Sequence, residues 1–263
     1  MTSYHNHTRL SDGKANISDM IRAAAAAGLS EVGISDHLVI HPEGQAFKWG
    51  MTKDRLPGYV QAVRQARKDA PIPVRLGIEA DFFADTAEEL RQTLAEYDFD
   101  YIIGSVHFAG GFLVDEGRHK WAELAPQERE AKWGIYWDSV AAMARSRIFD
   151  FAAHLDIPKR FGFKMLQAAP PNALAALDAI AAAGMALEIN TSGWHHPVHE
   201  PYPSAALLAA ARQWDIPILI NSDAHNPEDI ARSFGPAMLL AKNTGFTEVV
   251  RYQARQRISG ARL

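Results

Sequence analysis

Short runs of β-branched and aromatic residues recur along this chain, and each gives way to a longer stretch with helical spacing. The strand-type runs are SYHNH near the N-terminus, EVGISDH (31–37), VRLGIEADF (74–82), YIIGSVH (101–107), FDFAAHLD (149–156), MALEINTS (185–192) and IPILINSDAH (216–225). Between them, residues 18–28, 56–70, 87–97, 126–146, 172–184 and 204–214 repeat apolar side chains at three- and four-residue intervals. Gly28 and Gly184 stand where a left-handed cap should end a helix just before the next strand. Such alternation requires crossover connections, and therefore parallel strands in an α/β fold. Seven regular units fit a closed barrel better than an open doubly wound sheet, which the pattern leaves as the alternative. No composition shift or repeat marks a boundary, so residues 1–263 are expected to form a single domain. The longer connections at 38–55 and 108–125 then read as lids or substrate loops.

Where the ionisable residues fall is more informative than the alternation itself. Strand one carries His5 and His7, strand two Asp36 and His37, strand three Glu79, strand four His107, strand five His154 and Asp156, and strand seven Asp223 and His225. Strand six, ending at Asn190, contributes no ionisable group to this reading. In a parallel barrel all of these C-terminal ends meet on one face. Six histidines and several carboxylates packed into one mouth would repel or desolvate one another unless cations bound them, and a cluster of divalent ions is the simplest such cation. In His5-Asn6-His7, alternate residues of a strand point to the same side, so both imidazoles can reach one ion. Glu79 lies in an otherwise apolar run with no Lys or Arg at its end, which also favours metal. Taken singly, His107 and His154 read equally well as hydrogen-bonded core histidines, with Asp156 as a group that orients His154. Asp223 reads equally well as a helix cap.

Composition narrows the classes. The chain has no cysteine, so any metal must be held by nitrogen and oxygen. A net charge of −4 gives no reason to expect nucleic acid or an anionic membrane as a partner. No apolar run spans a bilayer and the N-terminus opens on polar residues, so a cytoplasmic location is the expectation.

The motifs HNHTRLSDG, GISDH, the lone Glu79 and NSDAH together resemble the PHP superfamily, named for polymerase and histidinol phosphatase. FDYIIGSVHF, AHLDIPKRFG, EINTSG followed by EPYPS, and INSDAH are similar to its histidinol-phosphate phosphatase branch. The resemblance implies a distorted seven-stranded TIM-like barrel with two or three divalent ions, zinc, iron or manganese. It places His5, His7, Glu79 and Asp223 on the first ion. Glu79 bridges to a second held by His107 and His154, and Asp12, His37 and His225 hold a third. Asp36 is expected to orient His37 or to touch water held by the metals. The implied activity is hydrolysis of a small phosphate ester, L-histidinol phosphate or a similar one, by a hydroxide bridging two ions of a trinuclear site, with Glu79 and Asp36 as its catalytic carboxylates. Arg160, Lys159 and, more weakly, His195 are expected to bind substrate. Two departures stand out: Asp12-Gly13 ends the first motif, and Trp194-His195-His196 follows NTSG where basic residues are usual. The alternatives are a PHP hydrolase of another phosphomonoester or a phosphodiester and, less well matched, an amidohydrolase, which would want a lysine or glutamate on strand four.

Overall fold

Seven parallel strands wind around one axis. A computed structural model describes all 263 residues. Going along the chain, β1 (Thr2–Ser3) leads through α1 (Ile17–Ala26) to β2 (Glu31–Ile34) and the short β3 (His37–Leu38). Then α2 (Leu56–Lys68), β4 (Val74–Asp81), α3 (Ala87–Ala95) and β5 (Tyr101–Ser105) follow. A hairpin of β6 (Phe108–Ala109) and β7 (Phe112–Leu113) precedes α4 (Arg118–Glu123) and the long α5 (Pro126–Ser146). The barrel resumes with β8 (Phe151–Ala152), α6 (Pro171–Ala183), β9 (Ala186–Asn190), α7 (Ala205–Gln213) and β10 (Ile218–Asn221). The chain finishes with α8 (Phe234–Asn243) and the hairpin β11 (Glu248–Gln253) and β12 (Gln256–Arg262).

The strands pair in the order β1-β2-β4-β5-β8-β9-β10, every neighbour parallel. The ring closes above β1 and β10, where Asn6 bridges Ala224: His7 N donates to Ala224 O at 2.8 Å and Ala224 N to His5 O at 3.2 Å. The result is a distorted seven-stranded α/β barrel, and the open doubly wound sheet is excluded.

The strands are shorter than their apolar runs suggested. The second run breaks at Ser35-Asp36 because both residues bond to the segment after β1: Ser35 Oγ accepts from Asn6 N at 3.1 Å and Asp36 Oδ1 from Thr8 N at 2.7 Å. The chain then re-enters the sheet as β3, pairing His37 with Glu79. Regular pairing of β8 ends at Ala152, two residues before His154. Hence the chemistry-bearing residues mostly sit just past the strand ends. The connections at 38–55 and 108–125, read as loops, carry β3, β6, β7 and α4.

The barrel interior is filled from below. Tyr101 is fully buried, and its hydroxyl donates to Tyr4 O at 2.5 Å. Glycine on β4 and β2, the next two strands on one side of it, makes this possible: a Cβ at Gly33 or Gly77 would stand 2.0 or 2.1 Å from the Tyr101 ring or hydroxyl. The β11–β12 hairpin, absent from the sequence reading, closes the N-terminal end. Val250 and Tyr252 join Tyr4, Tyr101 and Phe151 in one apolar cluster, and Tyr252 Oη donates to Asp150 O at 2.9 Å. Helices α1–α8 cover the outside with apolar faces, sharing a larger core with the outer strand faces.

Candidate metal centre

At the open end, Glu79 is fully buried and faces five imidazoles. His37 Nδ1 lies 2.8 Å and His5 Nε2 3.1 Å from Oε2, with His7 Nε2 at 3.6 Å. His154 Nε2 lies 2.9 Å and His107 Nε2 4.0 Å from Oε1. The register of β3 on β4 sets His37 beside Glu79, and the barrel closure at Asn6 brings His5 and His7 over it. Asp223 joins from beyond β10, its Oδ1 3.1 Å from His7 Nε2. On the outer side, His225 Nε2 is 3.3 Å from Asp12 Oδ2 and His37 Nε2 3.7 Å from Asp12 Oδ1. The His7 ring stacks between those of His37 and His225, at 4.2 and 4.3 Å.

Three of these atoms, His5 Nε2, His37 Nδ1 and Glu79 Oε2, are buried without a hydrogen-bond partner, as is His7 Nδ1. Close approach without hydrogen-bond geometry is what lone pairs aimed at a shared point produce: two ligands each about 2.1 Å from one ion sit about 3–4 Å apart. Unsatisfied polar atoms at this depth are otherwise strongly disfavoured. The residues therefore fit divalent cations. Donor atoms converge in four overlapping groups: His7, Asp12, His37 and His225; His5, His7 and Glu79; His5, His154 and Asp223; and His37, Glu79 and His107. All nine residues expected to bind metal are thus gathered at one mouth, though grouped with more sharing than the resemblance implied.

The outer faces of the imidazoles are held by residues the sequence reading missed. Strand six does supply an ionisable group: Glu188 of β9 is fully buried and accepts from His5 Nδ1 through both oxygens at 3.0 Å. It also accepts from His154 N at 2.8 Å, Asn190 Nδ2 at 2.7 Å and Asn221 Nδ2 at 2.9 Å. Asp81 accepts from His107 Nδ1 at 3.0 Å. A carboxylate behind a ligating imidazole fixes its tautomer and points the free nitrogen inward. Strand alternation was the available signal: Asp81 stands two residues after Glu79, and Glu188 two before Asn190, on the same strand face.

Charge is finely balanced here. Burial alone would lower the pKa of His107, but Asp81 carries it up to about 10. Burial likewise opposes His225, which the hydrogen bond to Asp12 and the charge of Asp223 lift to about 9. His7, buried between His37 and His225, is pushed down to about 3. Burial disfavours ionised Glu79, yet the surrounding imidazoles hold its pKa well below the ordinary carboxylate range.

Three expectations need correction, and one side assignment with them. Asp36 does not orient His37: its carboxylate accepts from Thr8 N and Oγ1 at 2.7 Å and from Ser11 N at 3.2 Å and Oγ at 2.5 Å, pinning the loop that carries Asp12. Lys159 does not reach substrate space: it is buried, with Nζ on Asp156 Oδ2 at 2.9 Å and Pro201 O at 2.8 Å. Asp156 accordingly serves Lys159 and Ser204 N rather than His154. His195 points outward, 2.9 Å from Ser233 Oγ, and it is His196 that lines the cavity over the cluster. That cavity, about 620 Å³, is also lined by Trp49, Asp115, Glu116, Arg160 and Arg232.

Fold and site together define an α/β-barrel protein with a candidate divalent-metal centre at the C-terminal mouth of its strands. The PHP domain profile matches residues 3–192, and the chain belongs to that family. A protein of Deinococcus radiodurans named "Probable histidinol-phosphatase" is 37% identical over 226 residues, covering 85% of each chain. The histidinol-phosphatase of Lactococcus lactis is 25% identical over 257 residues, covering 95% of this chain and 93% of its own. The crystal structure of the Lactococcus lactis histidinol phosphate phosphatase, complexed with zinc, L-histidinol and phosphate, superposes with a TM-score of 0.81 at 24% identity, covering 98% of both chains.

Proposed function

We infer that this protein is a metal-dependent phosphomonoester hydrolase acting on L-histidinol phosphate. The observation that carries the reading is the buried cluster around Glu79, whose unpartnered nitrogens and oxygen face one another beneath a cavity. A relative of 37% identity spanning most of both chains carries the histidinol-phosphatase name. The three ion sites are proposed as His5, His7, Glu79 and Asp223; Glu79, His107 and His154; and Asp12, His37 and His225. Imidazole with carboxylate accepts zinc, manganese or iron, and zinc, present in the Lactococcus lactis enzyme, is the first to try.

Bound divalent ions supply Lewis acidity that neutralises phosphoryl oxygens and makes water a competent nucleophile near neutral pH. The chain's residues do the rest. Glu79, reaching three imidazoles through one oxygen and two through the other, fixes the spacing of the donor sets. Glu188 and Asp81 keep His5 and His107 in the tautomer whose Nε2 faces inward. Arg160, lining the cavity, binds phosphoryl oxygen. Asp36 acts as a positioning residue through the Asp12 loop. The rest of the lining suits the alcohol: Glu116 supplies negative charge and Trp49 an aromatic surface, matching the ammonium and imidazole groups of L-histidinol.

Phosphate release from L-histidinol phosphate, sugar phosphates and nucleotides, with metal content measured on the same preparation, tests the reading. L-histidinol phosphate should be turned over fastest, with two or three ions per chain. Glu79→Ala should abolish turnover and lower metal content while the fold survives. Undiminished turnover in that variant would refute the assignment.

A further inference from the structure

Two arginines line the cavity, as does Ser192, and they come from different loops. Arg160 comes from the segment after β8 and Arg232 from the segment after β10. Each has one carboxylate neighbour: Arg160 Nη1 is 3.6 Å from Asp115 Oδ2, and Arg232 Nη1 is 2.8 Å from Asp229 Oδ1. Neither uses its Nε, since both Nε atoms are buried without a hydrogen-bond partner. A guanidinium carries five N–H donors in a rigid fork, so a single carboxylate contact leaves most of them unused.

The Arg232 loop is tightly placed. Thr191 Oγ1 donates to Arg232 O at 2.6 Å and Ser222 Oγ to Ile230 O at 2.9 Å, while Ser233 Oγ meets His195 Nε2. These bonds fasten the loop onto the segment after β9 and onto the end of β10. The segment after β9, Trp194-His195-His196, offers no permanent cation of its own. His196, which shares the cavity, is kept neutral at physiological pH: burial and then the Arg160 charge, with Arg232 adding to it, push its pKa down to about 4. The positive charge of this wall is therefore carried by the two arginines.

We propose that Arg232 is the second arm of an anion clamp, gripping with Arg160 the phosphoryl oxygens that face away from the metal cluster. The β10 loop, rather than the segment after β9, then sets affinity for the phosphate group. This rests on the phosphomonoester reading, and the test separates the two. Metal-loaded wild type, Arg232→Met and Arg232→Lys are compared for the Kd of inorganic phosphate by calorimetry, for KM with L-histidinol phosphate, and for metal content.

Arg232→Met should weaken phosphate binding and raise KM about 10- to 100-fold, the range for losing hydrogen bonds between charged groups, with metal content unchanged. Arg232→Lys should recover part of the loss, because lysine restores charge but not the fork. Wild-type turnover with unchanged phosphate Kd and KM in Arg232→Met would overturn the clamp and leave the activity standing. Phosphate binding by wild type that Arg232→Met loses, without hydrolysis of any phosphomonoester, would uphold the clamp and overturn the activity. Wild type that neither binds phosphate nor hydrolyses esters would overturn both.

Discussion

Single side chains at the mouth divide into those that face the cavity and those that hold them. His5 illustrates the division: Nδ1 is committed to Glu188, which leaves Nε2 no orientation but inward. Replacing Glu188 with Gln keeps the shape but removes the charge that favours this tautomer, and it disturbs three further hydrogen bonds, from His154 N, Asn190 Nδ2 and Asn221 Nδ2. Glu188→Gln should therefore weaken metal binding or activity about 10- to 100-fold, the usual consequence of altering a carboxylate behind a ligating histidine. Metal titration of the folded variant checks it, and wild-type affinity with wild-type turnover would refute the role. Lys159 and Arg160, adjacent in sequence, show how little neighbourhood says at this scale. One is buried on Asp156 and the other lines the cavity, because the turn that carries them points successive side chains to opposite sides.

At the scale of elements, the glycines of β2 and β4 matter as much as the histidines. Tyr101 fills the barrel interior only because Gly33 and Gly77 present no side chain to it. Gly77→Ala should destabilise the fold by about 1–3 kcal/mol or more, the cost of overpacking a rigid core, measured by urea unfolding. Pairing it with Tyr101→Ala should relieve that clash, so the double variant should lose less than the sum of the two single losses. Additive losses would show that the ring is not what excludes the alanine. The helices from α1 to α7, α4 excepted, were legible within one or two residues, since their apolar spacing is local. Strand ends were not. Ser35, Asp36 and Asn221 withdraw backbone groups from the ladder through side-chain bonds, and no apolar pattern records that. The β6–β7 and β11–β12 hairpins and α8 escaped for a related reason: their short or alternating patterns gain meaning only from what they cover.

Across the whole molecule, the mouth is a store of protons until metal displaces them. In the metal-free protein His107 and His225 have pKa values near 10 and 9, both raised above the ordinary imidazole value of 6.5. Between pH 6.5 and those values the folded state holds more protons than the unfolded chain. The stability they contribute is complete below 6.5 and is lost as pH rises through 9 to 10. Metal-free protein should thus become less stable from pH 7 to pH 10, followed by thermal unfolding. Ligation needs neutral imidazole, so metal binding at pH 7.5 should release protons and tighten as pH rises through the same window. Calorimetry in buffers of different ionisation enthalpy measures the count; binding with no proton release would contradict this charge balance.

The alternation of apolar runs and helical periods was enough to announce a parallel α/β fold and to favour a barrel over an open sheet, because secondary structure and its crossovers follow from local spacing. It was also enough to bring His5, His7, His37, Glu79, His107, His154, Asp223 and His225 to one end, because every parallel strand delivers its C-terminus to the same face; Asp12 was placed there by the family resemblance. Which of two adjacent side chains faces the cavity, which carboxylate stands behind which imidazole, and that Arg232 lines the same cavity as Arg160, were decided by tertiary structure. Those choices depend on strand register, loop hydrogen bonds and burial between segments that can lie more than two hundred residues apart, as with Tyr4 N on Asn221 Oδ1, and no local pattern encodes them.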